Sequence, residues 1–128
     1  MSDQFSQVKW GRVILTAGVV YLLSFLTNFI VVTIYAFVLA FQARGTPDQA
    51  MIQAFANQYA PWIGPLSLLL FTFLGARHIV KRVELAFPLH GILLGTIAGL
   101  INIAFGFSLS DLLLMALTIT VGWLGARK

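Results

Sequence analysis

Residues 85–126 read LAFPLHGILLGTIAGLINIAFGFSLSDLLLMALTITVGWLGA, and Asp111 is their only charged side chain. A bilayer crossing takes about 20 predominantly apolar residues, so this stretch is long enough for two. The break falls at Gly106-Phe107-Ser108, where Ser108 and Asp111 stand at capping-box spacing before the second apolar run. Two spans are predicted, 85–107 with Pro88 near its start and 109–126, joined by the short turn 106–110. Within the first of these, Gly91, Gly95 and Gly99 recur every four residues, and Asn102 and Gly106 roughly continue the face. Lipid supplies no hydrophobic drive between helices, so close backbone approach at small residues is what lets them associate. The glycine-zipper face of Gly91, Gly95 and Gly99 therefore packs this span inside the bundle or forms a seam between copies. Gly122 and Ala126 on the last span offer a complementary small surface.

Working back toward the N-terminus, an uncharged run covers residues 13–43, between Arg12 and Arg44. At 1.5 Å per residue it makes a helix of roughly 46 Å, against a hydrocarbon core of about 30 Å. We place a span at 13–41 and expect it to tilt, or its outer end at 37–43 to project. It is too long for a signal-peptide core and lacks a clear small-x-small cleavage site, so it reads as an uncleaved anchor. A further span is predicted at 62–80, with Pro61 and Pro65 in its first turn, where proline costs little. Between these two lies a loop, residues 44–61. Gly45 is expected to end the first helix, and Thr46-Pro47-Asp48-Gln49 combines an N-cap, a proline at N1 and a glutamine at N3. Met51, Phe55 and Tyr59 follow at four-residue spacing, predicting a short amphipathic helix over 47–59 on the membrane surface. The fold class is thus an all-α polytopic membrane protein. Four transmembrane helices form two antiparallel hairpins, with a surface helix between spans one and two, in one domain covering 1–128.

Composition agrees. Hydrophobic residues make up 59% of the chain and charged residues 9%, where a soluble domain carries about 25% charge. So few charges cannot cover a surface in water. There is no cysteine, which excludes disulfides, thiolate metal sites and cysteine nucleophiles. The net charge of +4 does not point to nucleic acid, because the basic residues flank helices and form no separate patch. Their distribution sets orientation. Lys9, Arg12, Arg77, Lys81, Arg82, Arg127 and Lys128 fall on one side and Arg44 alone on the other. By the positive-inside bias both termini and the 77–84 loop are cytoplasmic. Trp10 and Trp123 then mark the inner interface and Tyr59 and Trp62 the outer one.

Chemistry-bearing groups are few. The acids Asp3, Asp48, Glu84 and Asp111 all lie outside the bilayer core or at its edge, whereas proton-coupled transport normally uses a carboxylate within the membrane. There is no G-x-S-x-G and no H-E-x-x-H, and no hydroxyl has an obvious intramembrane base. We expect no enzyme activity, no metal and no cofactor. His78 and His90, at the facing ends of spans two and three, are the only candidates for a haem, metal or quinone contact. Two histidines without a neighbouring carboxylate read more simply as interfacial side chains. On span one, Ala17, Tyr21, Ser24, Asn28 and Tyr35 share a face, with Asn28 near mid-membrane. A buried amide needs partners, and Asn102 or a threonine is the natural one.

Leu74-Gly75-Ala76-Arg77 recurs as Leu124-Gly125-Ala126-Arg127, at the cytoplasmic exits of spans two and four. The recurrence fits two hairpins related as a parallel repeat, and equally two helix ends with the same local need. The run Gly75-Ala76-Arg77, then several polar residues, then Leu89-His90-Gly91 and Gly95, resembles a pattern in widespread bacterial four-helix membrane proteins of about this length. In these a glycine-alanine-arginine exit precedes a leucine-histidine-glycine entry to the third helix. The likeness covers spans two to four, while the long first span and the 46–59 segment depart from it. It implies a bacterial inner-membrane protein with four helices and carries over no functional residues. The functional expectation is a non-enzymatic accessory or structural subunit. It would act in the lipid bilayer through helix–helix and partner contacts, as a homo-oligomer or in a larger membrane complex, with no nucleic acid. The alternative is a small oligomeric channel or carrier lined by Asn28, Thr33, Thr72, Asn102 and Thr118.

Overall fold

The computed structural model describes residues 2–84 and 87–127, and within them the chain is all-helical. A single-turn helix α1 (Ser2–Ser6) precedes α2 (Trp10–Ala43), α3 (Gln49–Val80), α4 (Phe87–Ala104) and α5 (Leu109–Gly125). Helices α2 and α3, of 34 and 32 residues, are long and apolar enough to cross a membrane; α4 and α5 are shorter apolar helices. Residue 85, the predicted start of the third span, and Lys128 lie outside the described residues. α4 ends at Ala104, three residues before the predicted 107, and the turn begins there.

Around the bundle the helices run in the order α2, α3, α5, α4, with α3 and α4 also touching across the middle. The core lies at one end, where α2 and α4 begin and α3 and α5 finish. Val13 and Ala17 meet Ala76, Ile79, Val80, Leu94 and Ala126 there. A second cluster of Val20, Leu68, Ala98 and Leu114 lies further along. The N-terminal segment closes the core end: Val8 is buried in the first cluster, the Lys9 N–H donates to His90 Nε2 at 3.4 Å, and Arg12 Nη1 donates to the Arg82 carbonyl at 3.2 Å. A five-residue helix is too short to show a periodicity, so nothing in the sequence pattern announces α1.

The main correction concerns residues 44–61. The expected surface helix at 47–59 and the span at 62–80 are one continuous helix, α3. Pro61 and Pro65 therefore sit inside a helix and not in its first turn. Proline in a helix interior removes a backbone hydrogen bond and normally breaks the run. Continuity is held from the side by α2. The ring of Phe55 stacks on Tyr35 with centroids 3.9 Å apart and 10° between planes, and Tyr59 tilts onto Phe55 at 4.7 Å. The apolar face predicted to lie on a membrane surface thus lies partly on a neighbouring helix, while Met51 stays exposed. The cap shifts as well. Asp48, not Thr46, is the N-cap, and its Oδ1 accepts from the Ala50 N–H at 2.9 Å. At the end of α2 the left-handed residue is Arg44, with φ of 52°, one position before the expected Gly45.

The helices are unequal in reach. At 1.5 Å per residue α2 and α3 run about 50 Å and α4 and α5 about 26 Å. Since the core end is shared, the α2–α3 hairpin continues beyond the turn joining α4 to α5. The level of that turn on α2 is set by the Tyr21–Phe105 ring stack, 5.4 Å between centroids. If α3 is continuous and packed on α2, a chain carrying Tyr35→Cys and Phe55→Cys in this cysteine-free background links within one molecule. We expect a short bifunctional thiol reagent to give the intramolecular product in vesicles. Failure to link, with both thiols reactive singly, contradicts the continuous α3.

Candidate functional site

Two places bring together the residues singled out by sequence. The first is the crossing of α4 and α5. A Cβ on Gly91 would be driven into the carbonyl oxygen of Gly122, and one on Gly122 into the carbonyl of Gly91. A Cβ on Gly95 would strike the Thr118 carbonyl. The backbones are therefore in direct contact, which only residues without side chains permit. Thr118 is fully buried at this crossing and its Oγ1 donates to the Gly95 carbonyl at 3.1 Å and to the Met115 carbonyl at 2.8 Å. Gly99 meets a side chain instead, Met115 Cγ at 2.7 Å from the added Cβ.

The same device recurs at the other crossings. A Cβ on Gly125 of α5 would lie 2.6 Å from the Phe73 carbonyl and 3.1 Å from the Ala76 Cβ of α3. A Cβ on Gly75 of α3 would lie 3.0 Å from methyl groups of Thr16 and Val20 on α2 and 3.3 Å from Leu94 on α4. Gly125 thus meets Ala76 where α3 crosses α5, while Gly75 faces α2 and α4 and Ala126 lies against Gly91 of α4. The two exits therefore use their small residues at different crossings.

The second place is a cleft of about 140 Å³ among α2, α3 and α4, one level out from the core. Asn28 and Asn102 both line it, with Ser24, Tyr21 and Phe25 on α2 and Gly64 on α3. The two asparagines are not hydrogen-bonded to each other. Asn102 Nδ2 donates to Asp111 Oδ1 at 3.0 Å, while Asn28 Oδ1 is buried without a hydrogen-bond partner among the described residues. Ser24 Oγ donates back to the Val20 carbonyl at 2.8 Å. Asp111 is held by its own cap: Ser108 N–H donates to Oδ2 at 2.8 Å and Ser108 Oγ at 2.6 Å, closing the Ser108–Asp111 box. The Asn102–Asp111 bond has no signature in the sequence, because it spans the turn between two helices whose register only the folded hairpin fixes.

The remaining candidates are dispersed. Thr72 is fully buried and its Oγ1 lacks a partner among the described residues. Thr33 donates back to the Phe29 carbonyl at 2.8 Å. Of the five polar residues offered as a pore lining, Asn28 and Asn102 alone line this cleft. His78 is exposed, whereas His90 is fully buried against the N-terminal segment, so the two occupy different environments. No group of three or more His, Cys, Asp or Glu that could hold a metal occurs among the described residues.

The glycines provide a graded test. Glycine to alanine in a helix interior is ordinarily stabilising by up to about 1 kcal/mol. At Gly18 and Gly64 an added Cβ meets nothing within 4 Å, and there we expect that ordinary gain or no change. Gly99→Ala should cost less than Gly91→Ala, because the atom it strikes, Met115 Cγ, is side chain, although Met115 Cβ and Cα stand close behind at 3.1 and 3.2 Å. Gly91→Ala and Gly95→Ala should destabilise by about 1–3 kcal/mol, as overpacking does when backbone must move. Denaturant titration in mixed micelles reads the series, and equal effects at Gly18 and Gly91 would contradict it. Comparison with protein-family models, curated proteins and solved structures gives no match to this chain.

Proposed function

We propose that this chain is a non-enzymatic integral membrane protein of the inner membrane, an accessory or structural subunit that works by binding a partner through its helices. In this reading α2 to α5 all cross the bilayer, with both ends and the 77–84 loop cytoplasmic. The shorter pair, at about 26 Å, suits a hydrocarbon core of about 30 Å. The shared core end carries Lys9, Arg12, Arg77, Lys81, Arg82 and Arg127, and Arg44 alone sits at the far end, which supports the orientation. α2 is not the sheltered helix of a soluble core: Leu15, Phe37 and Phe41 are 70%, 71% and 88% exposed.

The observation that carries the partner role is the outer half of α2. Over residues 29–43 it packs on the first part of α3 through Tyr35, which stacks on Phe55. Phe29, Ile30, Ile34, Phe37, Val38 and Phe41 stand exposed there. Where this surface projects beyond the bilayer, over residues 37–43, exposed apolar side chains are the kind that mark an interaction site. The polar residues of α3 opposite, Gln53, Asn57 and Gln58, are exposed, so the projecting hairpin has one apolar and one polar side.

Native mass measurement of the gently extracted protein tests this reading. We expect a stable oligomer or a co-purifying membrane subunit, lost when Phe37 and Phe41 are both changed to serine. A monomer accompanied by lipid alone, with no protein recovered in native pull-downs, contradicts it. A C-terminal reporter should read as cytoplasmic in the same preparation.

A further inference from the structure

We propose that the cleft among α2, α3 and α4 is a binding site for a small neutral hydroxyl-bearing group of the glycerol class. This goes beyond the partner-binding reading and does not depend on it. Three observations carry it. The cleft is polar where its surroundings are apolar, with Ser24, Asn28 and Asn102 contributed by two different helices. Asn28 Oδ1 is buried and unpartnered, and a buried polar group without a hydrogen bond is costly enough that native structures rarely leave one so. The opposite wall is glycine: a Cβ at Gly64 would meet nothing within 4 Å, so backbone leaves the space open.

The chemistry of the lining selects the occupant. None of the lining residues is charged. The nearby carboxylate, Asp111, already accepts from Ser108 N–H, Ser108 Oγ and Asn102 Nδ2. A cation would find no charged ligand in the lining itself, with the Asp111 oxygens turned to Ser108 and Asn102, and an anion would face carbonyl oxygens; both are costly. Asp111 also orients Asn102, taking one of its two Nδ2 hydrogens and leaving Oδ1 as an acceptor beside the second N–H. Asn28 offers an unpaired acceptor beside the two donors of its own amide, and Ser24 Oγ, spent as a donor on Val20, keeps its lone pairs. The site is thus rich in acceptors with a few donors, which hydroxyl groups match because each both donates and accepts. Tyr21 and Phe25 supply apolar wall for the carbon skeleton. The volume of about 140 Å³ is room for four or five water-sized groups at about 30 Å³ each, the scale of a three-carbon polyol. Such a group reaches the site either as a free polyol or as the terminal glycerol of a lipid headgroup.

The chain has three asparagines, 28, 57 and 102, which makes a direct test. Asn57 lies on the outer part of α3, where its Oδ1 accepts from Gln53, and serves as an internal control. In protein labelled with ¹⁵N-asparagine and held in detergent micelles, titration with glycerol should shift the side-chain amide signals of Asn28 and Asn102 saturably and leave Asn57 in place. Asn28→Leu, read at Asn102, and Gly64→Leu, which fills the cleft from the open wall, should each raise half-saturation about tenfold or more, the worth of one or two hydrogen bonds. In lipid nanodiscs without free glycerol, the same shifts with phosphatidylglycerol and not with phosphatidylethanolamine identify the headgroup as the source; shifts only with added glycerol identify the free polyol. The proposal is overturned if neither probe moves Asn28 and Asn102, if Asn57 moves equally, or if folded Gly64→Leu binds as the parent does.

Discussion

The contact between the Gly91 and Gly122 backbones is the constraint on which the rest of the structure depends. Where lipid surrounds a protein, no water is expelled when two helices meet, and association must come from close packing and interhelical hydrogen bonds. Two helices this close bring their carbonyls onto each other's backbones. Thr118 turns that proximity into a hydrogen bond to the Gly95 carbonyl. The α4–α5 pair then presents Gly125 to α3, and α3 presents Gly75 to α2. Each crossing places a residue without a side chain against backbone or branched side chains, and the succession carries the packing from one helix to the next. The largest fully buried side chains, Leu94 and His90, lie on the glycine-faced helix itself, so the core is small and depends on that helix's position.

From this follows the asymmetry of the molecule. All close crossings lie toward the end where the N-terminal segment folds in, and there polar groups such as His90 are enclosed. One level outward the packing loosens into the polar cleft, and beyond the turn between α4 and α5 only two helices continue. Those two hold together by aromatic stacking of Tyr35, Phe55 and Tyr59. A bundle tight at one end and spread at the other leaves open surfaces at the loose end, in the cleft and along the outer half of α2.

Helix type was legible in the sequence because apolar run length and end signals are local. The Ser108–Asp111 cap and the start of the last helix at Leu109 could be read to the residue for that reason. Continuity of α3 could not. Two prolines within five residues argue for a boundary on local grounds, and the opposing influence, a ring stack with α2, connects residues 35 and 55 across a turn. The small-residue repeat at Gly75-Ala76 and Gly125-Ala126 was visible as a pattern, but that its members serve different crossings needed the register of the helices. Asn28 and Asn102 could be named as polar residues in apolar helices. That they line one cleft, and that Asp111 takes the Asn102 donor, depends on how far α4 extends along α2. Val8 and the Lys9–His90 hydrogen bond carried no sequence signal, since a single turn and one backbone N–H have none.

The account stands on backbone contact between α4 and α5, and one measurement addresses that directly. Protein labelled with ¹³C-glycine and reconstituted in lipid bilayers can be examined by solid-state NMR for through-space correlation between Gly91 and Gly122. The account predicts a strong short-range cross-peak between their carbons, lost in Gly122→Leu. No correlation, with the two helix axes at the ordinary separation of about 8–10 Å, would contradict it.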